Sequence, residues 1–267
     1  MTTQPDPESR RRILVGVDGS DTSCARSPSA PSHSICSVTD PGAEPAGRFH
    51  TAWGELEPAA RRALELAYAS LAGGGLACGA VITDAAGRVI AEGRNRAYDP
   101  PGGPDALQGT PLAHAEMNAF AAVPTTRELG DCTLLSTQEP CSMCSAAAAF
   151  LAVGAVRHLA PDPWALASGQ PDHGISAGPA ADLWAVTANL LFLLSIASGS
   201  GADHPTVAAN RELEPETTGI VLDLLDDGQA APAWTEGRSL TEALPASWDR
   251  IVAVATARGQ RTGSTAR

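Results

Sequence analysis

Glu139-Pro140-Cys141-Ser142-Met143-Cys144 and, upstream of it, His114-Ala115-Glu116 are the two segments on which the reading of this chain turns. A Cys-x-x-Cys at a helix start lets both sulfurs reach one ion. Pro140 suits that entry, because its missing N–H would find no partner in the first turn of a helix. Both segments fall at expected helix N-termini, where partial positive charge favours thiolates and a developing anion. Zinc favours Cys thiolates and a His nitrogen, and a catalytic zinc leaves its fourth position to water. Zinc would lower the pKa of that water toward about 7. Glu116 stands too near His114 to be a natural fourth ligand, but close enough to face the water and take its proton.

Bland readings compete with this one. A lone His in a helix is usually structural, and a lone Cys-x-x-Cys is often a redox pair or a structural zinc site. Here His, Glu, Pro and two Cys agree in one pattern. A structural zinc would call for four protein ligands, and Cys132 is the only visible candidate for the fourth.

Working outward, an amphipathic helix is expected from about Glu57 to Leu71, with Ala60, Leu64, Ala67 and Leu71 on one face. Gly73-Gly74-Gly75 ends it. Strands are expected over Leu76–Thr83 and Val89–Arg94, joined by the hairpin loop Asp84-Ala85-Ala86-Gly87. A Pro/Gly loop, Asp99 to Pro111, leads to a helix from His114 to Val123. A strand over Cys132–Thr137, a helix from Cys141 to Leu151 and a strand over Ala155–Leu159 complete the run. Two antiparallel strands followed by alternating helix and strand indicate an α/β fold with a mixed sheet.

The flanks differ. Residues 1–50 are rich in Pro, Ser, Asp and Gly and read as mostly disordered. Within them Ile13-Leu14-Val15-Gly16-Val17-Asp18-Gly19-Ser20 resembles the opening strand and loop of universal stress proteins. A lone strand makes no core, so a remnant or a fortuitous match is expected. Residues 51–165 hold the site. Residues 166–267 form a helical C-terminal extension, with helices expected at 180–199, about 206–227 and 239–257.

The chain has 267 residues, 43% of them hydrophobic and 18% charged, enough to bury a core. It contains no Lys, which excludes Schiff-base chemistry and a Walker-type phosphate Lys. Its net charge of −12 argues against a large nucleic-acid partner, since phosphate-backbone binding needs a positive surplus. Arg10-Arg11-Arg12 precede only a short apolar run that Asp18 interrupts, so no secretory leader is expected. From Leu183 to Ala202 the chain is uncharged, but its dense apolar part is about 15 residues, short of the roughly 20 a membrane helix needs. A buried helix, no membrane and a cytoplasmic protein with reduced thiols are expected.

Residues 52–163 resemble the cytidine and deoxycytidylate deaminase superfamily, most closely the branch of tRNA adenosine, guanine and bacterial nucleoside deaminases. Gly79-Ala80-Val81-Ile82, Ile90-Ala91-Glu92-Gly93-Arg94-Asn95 and the two motif segments carry the resemblance, in family order. H-x-E followed by P-C-x-x-C is the signature of zinc-dependent base deaminases. The resemblance implies a three-layer α/β/α fold, one Zn2+ per subunit and a homodimer or higher homo-oligomer. Residue by residue, it implies His114, Cys141 and Cys144 as ligands and Glu116 as proton shuttle. It implies Asn95 as a hydrogen-bonding partner of the base, and the Ala115 backbone N–H as a group near the exchanged substituent. Cys78, Cys132 and His158 read as core residues.

The expected function is hydrolytic deamination of a free nucleobase or nucleoside, with a purine such as guanine or adenine favoured and ammonia released. Glu139 before Pro140 and Met143 between the cysteines resemble the purine-handling branch. The alternatives are deamination of adenosine in tRNA and a non-catalytic zinc-binding scaffold. Between Ser168 and Gly237 the extension carries only one Arg, Arg211, which disfavours tRNA. Glu116 disfavours the scaffold, which has no use for that carboxylate.

Overall fold

A hairpin seeds the sheet. Strands β1 (Gly79–Thr83) and β2 (Val89–Arg94) pair antiparallel, with Gly79 opposite Arg94. Gly87 at φ 76° closes the turn, a conformation costly for a residue with a Cβ. Asp84 Oδ1 accepts from the Ala86 and Arg88 N–H groups at 3.0 Å each. β1 also pairs antiparallel with β3 (Thr133–Gln138). β3 runs parallel to β4 (Ala155–Ala160), and β4 parallel to the short β5 (Ser176–Ala177), giving the order β2-β1-β3-β4-β5. The structure, a computed structural model, describes residues 44–162, 176–177, 182–226 and 237–263.

Both faces of the sheet are covered, so β1 is buried along its whole length while the edge strand β2 alternates. Ala80, Ile82, Leu134 and Val156 pack on one face against α3 (Ala115–Ala121) and α4 (Ser142–Phe150). Val81, Leu135 and Leu159 pack on the other, against α2 (Pro58–Ala72) and α5 (Asp182–Ser200). The fold is thus the expected α/β/α sandwich with a mixed sheet.

The helical extension is built into the sandwich rather than appended to it. α5, α6 (Pro205–Leu213), α7 (Pro215–Asp226), α8 (Leu240–Ala243) and α9 (Trp248–Thr262) share one hydrophobic cluster with α2 and the sheet. The residues from 44 onward fall in one compact unit, with no division near 165. α5 is long and apolar enough to cross a membrane by composition, yet 72% of its apolar window is buried inside the fold. It is a core helix here.

α1 (Pro45–Glu55) begins within the last residues of the segment expected to be mostly disordered, whose residues 1–43 lie outside the described residues. Pro45 opens it, and fully buried Phe49 meets the Trp248 ring edge-on at 5.0 Å. Trp53 and Trp184, 5.8 Å apart, extend this aromatic cluster. Partners two hundred residues away supply the burial, which a local reading misses. The stretch Ile13 to Ser20 lies outside the described residues.

The expected helix over 206–227 is two helices, broken at Glu214 before Pro215. Glu214 is buried at that break, with Arg258 of α9 donating to both its oxygens at 2.6 and 2.7 Å. Arg258 also pairs with Asp182 at the start of α5.

Candidate metal centre and active site

His114 and Cys141 are the N-caps of α3 and α4, both in extended backbone conformation, and Cys144 lies in the first turn of α4. Both helices pack on the same face of the sheet, and their starts bring the three side chains together. Cys141 Sγ and Cys144 Sγ each lie 3.6 Å from His114 Nδ1 and 3.6 Å from one another. Tetrahedral zinc with Zn–S about 2.3 Å and Zn–N about 2.0–2.1 Å requires donor separations of about 3.5–3.8 Å. The triangle has the size of one face of that tetrahedron, and the donor set of two sulfurs and one imidazole is the one zinc prefers. These three residues could hold zinc through Nδ1 of His114.

The electrostatics agree with a cation site. Cys141 is pulled down to about 4, first by its hydrogen bond with Cys144 and then, against burial, by the His114 ring. Cys144 is pushed up, because it shares that proton and is buried. The hydrogen bond to Cys141 raises His114.

Glu116, in the first turn of α3, is buried beside the triangle, with Oε2 3.5 Å from Cys144 Sγ. Ser136 Oγ of β3 donates to its other oxygen at 2.8 Å. Burial raises the Glu116 carboxyl above the ordinary range, opposed by its own N–H, the His114 ring and Ser136. A buried carboxyl with a raised pKa beside a candidate metal site has the character of an acid–base group.

His114, Cys141 and Glu116 line a cavity of about 790 Å3. Asn95, Ala115, Glu116 and Gln138 are on the sheet side with the ligand residues, as is Cys78, which therefore touches the cavity as well as the core. Asn95 is buried; its Oδ1 accepts from the Ala97 N–H at 3.1 Å, and its backbone carbonyl accepts from Ser70 Oγ at 2.8 Å. Cys132 and His158 are buried, as expected of core residues. The opposite wall belongs to the C-terminal extension: Phe192, Ser195, Ile196 and Gly199 of α5, His204 at the cap of α6 and Thr206. Sequence reasoning missed this wall, and missed Ser136 and Gln138. An unbroken apolar helix signals burial but not what it faces. For the two β3 residues the signal was available: alternation places both on the face that Leu134 presents to α3.

Fold and donor set together define a class. Residues 55–159 match the cytidine and deoxycytidylate deaminase zinc-binding region. Through that stretch the chain belongs to the cytidine and deoxycytidylate deaminase superfamily. Guanine deaminase from Bacillus subtilis is 35% identical over 43% of this chain and 71% of its own, with a TM-score of 0.35. A structure from work on A-to-I editing by tRNA:A34 deaminases is 26% identical, covers 49% of this chain and 95% of its own, and has a TM-score of 0.36. The tRNA(Ile)-lysidine synthase of Deinococcus radiodurans is 34% identical over 128 residues. That match covers 47% of this chain and 19% of the synthase, so the chain spans about a fifth of that curated relative.

Proposed function

We propose that this protein is a zinc-dependent hydrolytic deaminase of a free nucleobase or nucleoside, with a purine such as guanine or adenine favoured. The observation that carries the reading is Glu116: a buried, proton-accepting carboxyl set against a zinc-sized triangle of donors and open to a cavity. Zinc bound there would supply a Lewis acid that makes water nucleophilic at neutral pH.

The residues of the chain supply the rest. Glu116 takes a proton from the attacking water and passes it to the ring nitrogen beside the reacting carbon. It then delivers the second proton to the departing amine. A C–O bond forms, the exocyclic C–N bond breaks, and ammonia leaves with the protons balanced. Ser136 holds the carboxylate in line between the two transfers. Asn95, whose Oδ1 is already engaged, offers its NH2 as donor to the base. Ala115 at the first position of α3 presents an N–H with no carbonyl one turn back inside the helix.

The cavity also bears on the substrate. Among the described lining residues the charged side chains are Glu116, Glu139 and Asp162, with no Arg. Phosphate would meet carboxylates there, which favours a neutral base or nucleoside. The tRNA adenosine reading draws on the tRNA proteins among the relatives. The reading includes a cytoplasmic setting and a homodimer or higher homo-oligomer, the latter checked by light scattering in solution.

Ammonia release by the zinc-loaded full chain over purine and pyrimidine bases and nucleosides tests the proposal, with Glu116→Ala as blank. Turnover of one member supports it. Silence across the panel with turnover of an anticodon stem-loop would replace it by the tRNA reading. Silence on both, with zinc bound, would leave the scaffold.

A further inference from the structure

Gln138 is the last residue of β3, and only 4% of it is exposed. Both its amide atoms, Nε2 and Oε1, are buried and have no hydrogen-bond partner among the described residues. A buried polar group without a partner is destabilising, so a Gln at such a place calls for an explanation. The residue lines the same cavity as Glu116 and Asn95. Strand alternation places it on the face where Leu134 packs toward α3 and Ser136 reaches Glu116. A carboxamide there offers one donor and one acceptor side by side.

The chemistry of the ring selects what can satisfy both. Glu116 and the metal ligands occupy the amidine edge from which the amine leaves. A 6-aminopurine nucleoside or a 4-amino-2-oxopyrimidine nucleoside then retains only acceptors on its remaining ring edges. A 2-amino-6-oxopurine keeps a lactam, N–H beside C=O, one bond from the reacting carbon. A primary amide and a lactam close a cyclic pair of two hydrogen bonds. Asn95, with its oxygen engaged by Ala97, adds a donor for a ring nitrogen.

We propose that Gln138 is a specificity-determining residue that pairs its carboxamide with the lactam edge of a 2-amino-6-oxopurine. The inference rests on the deaminase reading of this site and names the substrate class within it.

The test compares the zinc-loaded full chain with Gln138→Leu and the near-isosteric Gln138→Met, on guanine, guanosine, adenosine and cytidine. Thermal melting is followed in parallel, with and without guanine. Both variants should keep zinc and melt no lower than the parent, because each removes an unpaired buried amide. They should lose about 10- to 100-fold in kcat/KM for guanine or guanosine, with far smaller change for adenosine, since a site built to hydrogen-bond discriminates strongly. Guanine kcat/KM within twofold of the parent in a folded variant would overturn the proposal, as would a parent that prefers adenosine or cytidine. If the parent releases ammonia from nothing, the deaminase reading fails, and guanine binding decides this inference separately. A guanine-induced melting shift that Gln138→Met abolishes would sustain it; an equal shift, or none in the parent, would end it.

Discussion

Ser136 Oγ donates to Glu116 Oε1 at 2.8 Å, joining the middle of β3 to the first turn of α3. The bond fixes one carboxylate oxygen, and the other is left 3.5 Å from Cys144 Sγ. Substituting each residue of the pair separates chemistry from positioning. Glu116→Ala should retain zinc and lose about 10²- to 10⁴-fold in turnover, the usual contribution of a general acid–base. Ser136→Ala should cost about tenfold, in line with one hydrogen bond to a charged group. Because Ser136 stabilises the ionised carboxylate, its removal should also move the acid limb of the pH–rate profile to higher pH. An unmoved limb would take Ser136 out of the proton pathway.

Cys141→Ser should abolish stoichiometric zinc as measured by elemental analysis. The sulfur it removes stands 3.6 Å from both other donor atoms, so the remaining pair cannot close the triangle. Melting should fall with metal loss and recover little on adding zinc, whereas the parent stripped by a chelator should recover fully.

Gly93 lies where β2 and α3 touch: a Cβ there would sit 2.3 Å from the Ala115 carbonyl oxygen and 2.5 Å from the Ala119 nitrogen. Backbone, not a flexible side chain, is the obstacle. Gly93→Ala should cost about 1–3 kcal/mol in urea unfolding. It should also weaken zinc binding, because the helix it pushes carries His114 at its cap. Full zinc affinity in a destabilised variant would show that α3 yields without moving its first turn.

His158 is buried on β4, and burial lowers its pKa against the opposing pull of Glu139. A folded-state pKa below the unfolded value means that the unfolded chain takes the proton first as pH falls. Stability should therefore be level above about pH 6.5 and decline below it. His158→Gln should flatten that decline in melting curves taken between pH 7.5 and 5.5. An unchanged slope would assign the loss to other groups.

Arg258 donates to both oxygens of buried Glu214 and pairs with Asp182, while Arg261 reaches Glu214 at 3.6 Å. Arg258→Met should destabilise by up to about 3–5 kcal/mol, because buried Glu214 would be left with only the longer contact to Arg261. Adding Glu214→Leu should recover part of it. Failure of the second change to help would mean that Glu214 finds water or another partner.

Elements set by local spacing and turn chemistry were legible in the sequence, while those held by distant partners were not. The helix expected from Glu57 is α2, and the hairpin over residues 76–94 is β1 and β2, because apolar spacing and turn chemistry act within a few residues. α1 escaped because its sequence is poor in local signal and its stability comes from Trp248. The break at Glu214 could have been seen in Pro215, but its purpose, to seat a buried carboxylate against Arg258, could not.

By itself the sequence determined the chemistry: the donor types at 114, 141 and 144, the carboxylate at 116, the order of helix and strand, and the absence of Lys and of net positive charge. Those are properties of composition and spacing, which need no knowledge of distant contacts. Only the tertiary structure decided what surrounds that chemistry. It set the donors 3.6 Å apart, turned Ser136 onto Glu116, buried Gln138 without a partner, and made α5 and α6 the second wall of the cavity. Side-chain periodicity says which face of an element is buried, but which element covers that face is settled by packing between residues far apart in the chain.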